Sequence, residues 1–243
     1  MNARPESLGP FVFVTFWYNS RMQVVILAAG RGTRMGKLTE KTPKPMLAVD
    51  GKTLLEHKFD ALPDDVDEII VVVGYLAHVI KGTYGDSYKG KKVSYVTQEN
   101  IVGGTADALW QAQPLLRDKF LVMMGDDIYA REDIEALRVY DWALMVQRVP
   151  DTAVGGRVVI DIDHTITDII EGNSGGEGAV STNLFALDTR IFKYPLVPKA
   201  SGSTEMGLPQ TVLAAAKEAK IPLHVVEATQ WTQITNPEDL KRA

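Results

Sequence analysis

Arg34, Lys44, Asp126 and Asp127 are the residues whose types and neighbours best suit phosphate chemistry. Two glycines, Gly30 and Gly32, precede Arg34, and Lys44 lies between Pro43 and Pro45. Glycine lets backbone N–H groups close on a phosphate with no Cβ in the way. Arg34 and Lys44 add fixed positive charge where a triphosphate gathers negative charge. Gly125-Asp126-Asp127 follows the apolar run Phe120–Met124, and a carboxylate at the carboxyl end of a strand is well placed to ligate Mg²⁺ beside phosphate oxygens. The glycine stretch is not a P-loop, because no G-K-[ST] follows the four-residue spacer. Nor is it the dinucleotide fingerprint, since G-x-G-x-x-G fails at Met35.

Residues placed this way need strands behind them. The apolar runs Val24–Leu27, Ile69–Val73, Val93–Val96, Phe120–Met124 and Ala143–Val146 alternate with helical stretches at Leu54–Leu62, Ala106–Leu115 and Asp133–Leu137. Continuous apolar strands separated by helices predict a three-layer α/β/α fold with a mostly parallel sheet. Ligands of such sheets bind beyond the carboxyl ends of the strands, and Gly30, Gly74 and Gly125 each follow such an end. From about Val149 the texture changes. Val158–Asp163 and Ile166–Ile170 read as a β-ribbon, with a glycine-rich turn over Gly172–Gly178 and another strand at Thr182–Leu187. A helical stretch over Thr204–Lys220 and a late strand at Leu223–Val226 follow. No repeat or flexible linker interrupts the chain, which predicts one continuous unit with two subregions, 22–148 and 149–243.

Composition narrows the function. The 243 residues, 45% of them hydrophobic, suffice for a full core. A net charge of −5 argues against a general nucleic-acid binder. The absence of cysteine excludes disulfides, thiolate nucleophiles and cysteine-based zinc sites. His57, His78, His164 and His224 show no metal-ligand spacing. No apolar run approaches the roughly 20 residues that span a bilayer. Phe11–Tyr18 is aromatic and β-prone, but no small-residue cleavage site follows it before Arg21. These features are read as those of a cytoplasmic protein without a nucleic-acid or membrane partner. Residues 1–21 read as an extension outside the catalytic unit or an upstream mis-start; an edge strand or dimer contact is the alternative, and a homo-oligomer is left open.

The strand Val24–Leu27, the run A-A-G-R-G-T-R-M over 28–35 and K-P-M-L over 44–47 together resemble the sugar-phosphate nucleotidyltransferases, or nucleotide-diphospho-sugar pyrophosphorylases. With weaker echoes downstream the resemblance covers Met22 to Ala243. It implies a nucleotide-binding part over 22–148 and a sugar-binding part over 149–243. It also implies Mg²⁺-dependent attack of a sugar 1-phosphate on the α-phosphorus of an NTP, with pyrophosphate leaving. Leu27, Ala28, Ala29, Gly30, Gly32, Thr33 and Arg34 then form the nucleotide loop, with Arg34 clamping the triphosphate and Lys44 near the reacting phosphates.

The resemblance makes Gly103, Gly104 and Thr105 a base-reading loop, with Gln98 as the glutamine used by pyrimidine-nucleotide members; aligning on Gly104-Thr105 would put Glu99 there instead. It makes Asp126 the metal ligand, with Asp127 pointing elsewhere, and Gly156, Glu171 and Thr182 the sugar contacts. Trp231–Leu240 echoes W-x-D-I-x-T-P-E-D-L, but Gln233 stands where many members carry a second metal-binding aspartate. An amide keeps an oxygen ligand and loses the charge, so Mg²⁺ affinity should fall. Asn236-Pro237-Glu238-Asp239 reads as a helix cap. The Gln98 spacing favours UTP or dTTP as donor. The alternatives are GTP with mannose 1-phosphate, CTP with a phospho-alcohol, or a nucleotide-sugar-binding regulatory homologue without turnover.

Overall fold

The apolar run ahead of the glycines forms β1 (Met22–Ala28), and all seven of its side chains are buried. The computed structural model describes residues 21–172 and 175–243. The readings made for residues 1–20, Phe11–Tyr18 among them, and for part of the Gly172–Gly178 turn lie outside the described residues. After β1, two 3-10 segments (Thr33–Thr39 and Lys44–Met46) carry the glycine loop and Lys44. A small hairpin, β2 (Ala48–Val49) and β3 (Lys52–Thr53), leads into α1 (Leu54–Ala61). Next come β4 (Val66–Val73), α2 (Ala77–Tyr84), β5 (Ser87–Tyr88), β6 (Lys91–Thr97) and α3 (Thr105–Ala112). The stretch before Val149 ends with β7 (Lys119–Met124), β8 (Asp127–Tyr129), α4 (Arg131–Leu137) and β9 (Ala143–Val149).

The ribbon predicted after Val149 is β10 (Arg157–Ile160) and β11 (Ile166–Ile170), paired antiparallel. It is followed by β12 (Gly178–Asp188), α5 (Leu208–Ala219), β13 (His224–Glu227), β14 (Trp231–Gln233) and α6 (Pro237–Arg242). The main sheet runs β11-β10-β12-β7-β1-β4-β6-β5, with β9 joined to β12 and β13. β7, β1, β4 and β6 are parallel, whereas β12 meets β7, β9 and β10 antiparallel. One sheet therefore crosses the sequence boundary near Val149, and β13 returns to pair in parallel with β9.

Both faces of the sheet are covered, as period-2 alternation of apolar strands requires. Val25 and Leu27 point into a core with α3 and α5; Val24, Ile26 and Ala28 point into a second core with α1, α2 and α4. α1 starts on a capping box, Thr53 with Glu56, and α6 on another, Asn236 with Asp239. α2 has no counterpart in the sequence reading. Its N-cap is Leu76 in the left-handed region with no side-chain cap, and the helix carries Gly82, so the usual start signal is missing.

Candidate active site

The glycine loop is built around Lys44. Gly32 has φ +63, and a Cβ there would lie 2.9 Å from Lys44 Cβ and 3.2 Å from Thr39 Cγ2. A side chain at 32 would displace the lysine stem. Thr39 Oγ1 donates to Gly32 O (3.1 Å) and Gly36 O (3.2 Å), bracing the loop from beneath. Met35 is buried in a small third core with Leu47, Val49, Leu54 and Ile234. That core joins the A-A-G-R-G-T-R-M run, K-P-M-L and the late Trp231–Leu240 echo. Gly30, Thr33 and Arg34 are exposed, and Arg34 makes no ion pair among the described residues. Leu27, Ala28 and Ala29 are buried, so only their backbone can meet a ligand. Two of their carbonyls hold the neighbouring loops: Leu27 O accepts from Gly125 N (2.9 Å) and Ala29 O from Tyr75 N (3.0 Å).

Those bonds bring the next station to the loop. A Cβ on Gly125 would lie 2.7 Å from Leu27 O, so the β7 turn closes directly on the β1 end. Lys44 Nζ donates to Asp126 Oδ2 at 2.5 Å; the lysine side chain is 8% exposed and the aspartate 29%. Asp127 turns inward, as the resemblance implied, and is 4% exposed. Its Oδ2 accepts from Trp231 Nε1 (3.1 Å) and Tyr129 OH (3.4 Å). Lys58 is 1% exposed on the inner face of α1 and donates to Leu54 O (3.0 Å). Burial pushes its ammonium down to about 8 against the pull of Asp127 and Asp126. Burial and then the Asp126 charge push the Asp127 carboxyl up to about 7, while Lys58 and the Trp231 N–H hold it back. Two cations and two carboxylates thus share one corner. Lys58 escaped the sequence reading, although its place among Leu54, Leu55 and Phe59 at helical spacing marks it as inward.

Gln233 pairs with Asp127 across the β14–β8 ribbon and its side chain is exposed. No group of three or more His, Asp or Glu among the described residues could hold a metal by itself. Asp126 alone, beside Lys44, offers a single hard carboxylate at the loop. It suits Mg²⁺, which keeps waters and takes most of its remaining ligands from phosphate.

The Gly103–Thr105 loop is folded around Gln98, which is 4% exposed; Glu99 faces solvent. Gln98 Nε2 donates to Gly104 O (3.0 Å) and Asp107 Oδ2 (2.8 Å), so its amide already organises the loop. A Cβ on Gly103 would lie 2.6 Å from that Asp107 Oδ2. Gly104, at φ +92, approaches the backbone of Met206; a Cβ there would be 2.4 Å from Met206 O. Thr105 Oγ1 accepts from Leu208 N (3.0 Å), which commits its hydroxyl to the start of α5.

On the acceptor side the structure brings two of the three expected residues together. A Cβ on Gly156 would lie 3.0 Å from Glu171 Oε1, and the same oxygen accepts from Gln210 Nε2 at 3.0 Å. The side chain of Thr182 is not brought there. It is fully buried between β12 and β9, and its Oγ1 donates to Met145 O (3.0 Å). That bond commits its hydroxyl to the pairing of β12 with β9.

The chain matches the family model described as nucleotidyl transferase over residues 23–242. It is 43% identical over 237 residues to the UTP–glucose-1-phosphate uridylyltransferase AglF of Haloferax volcanii, covering 91% of this chain and 95% of AglF. It is 29% identical over 223 residues to the bifunctional protein GlmU of Methanocaldococcus jannaschii, covering 91% of this chain and 53% of GlmU. The chain thus spans about half the length of the GlmU proteins it matches. A solved Bacillus anthracis structure, provisionally named a glucose-1-phosphate thymidylyltransferase, superposes with a TM-score of 0.79 at 24% identity over 91% of this chain and 93% of that one, a likeness of fold. A phosphate-suited glycine loop braced on Lys44, an adjoining Asp126 and a match across nearly the whole described sequence place this chain in the nucleotidyl transferase family.

Proposed function

We propose that this chain transfers a nucleotidyl group from UTP or dTTP to a sugar 1-phosphate, forming a nucleotide-diphospho-sugar and pyrophosphate. The Lys44–Asp126 contact at the loop carries this reading, because it sets a cation and a hard oxygen ligand side by side where phosphates would meet. The 43% identity to AglF supports the uridylyl choice and a glucose 1-phosphate type of acceptor.

In the reaction a bond forms between a phosphate oxygen of the acceptor and the α-phosphorus, and the bond from that phosphorus to the bridging oxygen breaks. Neither substrate needs to become attached to the protein, so the side chains act by position and charge. Arg34, exposed and unpaired, would take the leaving pyrophosphate. Lys44, held by the Gly32 side of the loop and by Asp126, would bridge the two reacting phosphates and suppress their repulsion. Mg²⁺ held by Asp126, with Gln233 as a neutral helper, would neutralise charge developing on the phosphate oxygens. Gly103 and Gly104 would offer backbone to the base, with Gln98 fixing their shape. Gly156 and Glu171 would meet the sugar.

A pyrophosphate-release assay over four NTPs and several sugar 1-phosphates tests the proposal. Release is expected with UTP or dTTP, and only with a divalent cation present. Nucleotide binding without release for any pair would leave the second reading, a nucleotide-sugar-binding regulator, which the neutral Gln233 favours.

A further inference from the structure

Glu171 and Gln210 are separated by 39 residues and meet at 3.0 Å, with the Gln210 Nε2 donating to Glu171 Oε1. The Gly156 backbone lies against that same oxygen. Glu171 Oε1 is thereby fixed from two sides, and its Oε2 has no partner among the described residues. Gln210 Oε1, by contrast, is buried and makes no hydrogen bond among the described residues. Buried acceptors are nearly always satisfied, so an orphaned one calls for a reason. Flipping the amide would not relieve it, because two acceptor oxygens would then face each other at 3.0 Å. Gly207 makes the arrangement possible: a Cβ there would lie 1.9 Å from Gln210 Oε1. The first turn of α5 therefore tolerates a local defect in order to hold Glu171.

We propose that Gln210 is a positioning residue of the acceptor site, aiming the free oxygen of Glu171 at a hydroxyl of a polyol phosphate. The inference rests on the transfer reading above and deepens it at one residue. A carboxylate oxygen can only accept, so its ligand must bring a donor. A sugar or cyclitol phosphate with a free ring hydroxyl supplies one, whereas a simple alkyl phosphate does not.

The experiment compares wild type, Gln210→Ala, Glu171→Ala and the double variant. Acceptors are the 1-phosphates of glucose, mannose, N-acetylglucosamine and inositol; steady-state kinetics are paired with calorimetric titration of the acceptor alone. Gln210→Ala should raise the KM and Kd of the preferred acceptor roughly tenfold, the size of one hydrogen bond to a charged group. The KM for the NTP and the melting temperature should stay put. In the Glu171→Ala background the same change should add less than about twofold, since a positioning residue has nothing left to position. A full effect in that background, or an equal rise in the KM for the NTP, overturns the inference and leaves the transfer reading standing. Acceptor binding without turnover overturns the transfer reading, while the calorimetric cycle still decides on Gln210. Binding of none of the acceptors overturns both.

Discussion

In the transfer reading proposed above, the end of the site around Lys44 would serve the donor and the end around Glu171 the acceptor, and the two are made of different materials. At the donor end Lys44, Asp126, Asp127 and Lys58 crowd two positive and two negative groups around the β7 turn, three of them nearly out of water. At the other end Gly156 and Gln210 hold the one carboxylate of Glu171, and among the described residues no cation pairs with it. Charges close together in a shielded corner act strongly on other charges, which suits phosphates. A single carboxylate held by a neutral partner reads hydroxyl direction instead. The difference suggests that rate is set on one side and choice of acceptor on the other.

The contrast can be broken most severely at the donor end. Lys44→Ala and Asp126→Ala should each reduce kcat/KM by at least about 10²-fold, the scale of losing one charge-stabilising group. Far-ultraviolet circular dichroism should be unchanged; Asp126→Ala should lower the melting temperature more than Lys44→Ala, because it strands a buried ammonium whereas the Asp126 carboxylate can reach water. If both variants kept near wild-type rates, the site would be misplaced. Gly104→Ala should come next. It forces a Cβ against Met206 O in a left-handed backbone, costing about 1–3 kcal/mol in thermal unfolding and raising the KM for the NTP.

Lys58→Met sharpens the comparison, since it removes charge from the donor corner without touching the loop. Lys58 attracts Asp127 and Asp126 without an ion-pair contact among the described residues, so its loss should cost less than the roughly 3–5 kcal/mol of breaking a buried ion pair. The Asp127 carboxyl is already pushed up to about 7. The loss in chemical denaturation should therefore be smaller at pH 6, where the orphaned carboxyl protonates, than at pH 8. The smallest effect lies far from the cleft, at Asp60. Burial there would raise its carboxyl, but bonds from Lys52 (2.7 Å), Lys89 (2.6 Å) and Tyr88 (3.0 Å) bring it down to about 2. A depressed carboxyl stabilises the fold above its unfolded value near 4 and loses that contribution as pH falls through about 2. Asp60→Asn should cost less than about 1 kcal/mol at pH 7, because both lysines are exposed, and should lessen the sensitivity to acid.

The sequence displays the donor half more openly than the acceptor half, for a physical reason. β1, the glycines after it, Lys44 and the Gly125 turn each carry a local pattern, namely an apolar run, a turn residue or a charge at a strand end. α6 announces itself through Asn236 and Pro237. α2 lacks such a signal, since it begins on Leu76 without a cap. Gln98 has the right spacing, but the bonds that use up its amide come from Gly104 and Asp107 after the chain has turned. Thr182 sits in a register shift of β12 between Ser181 and Phe185, and no local pattern tells which way its side chain turns there. Gln210 and Glu171 meet only through the packing of α5 on the β-ribbon, and the Trp231 bond to Asp127 spans 104 residues. Side-chain bonds over such distances leave no periodic trace.

The close approach of Gly104 to Met206 is one part of a double seam. Met206 N donates to Gly103 O (2.8 Å), Ala106 N donates to Met206 O (3.0 Å), and Leu208 N donates to the Thr105 hydroxyl. The Gly103–Thr105 loop and the segment that leads to Gln210 are therefore fastened to each other by backbone as well as side-chain bonds. Neither segment can open without breaking the bonds of the other, so hydrogen exchange at the Ala106, Met206 and Leu208 amides should report one common opening event.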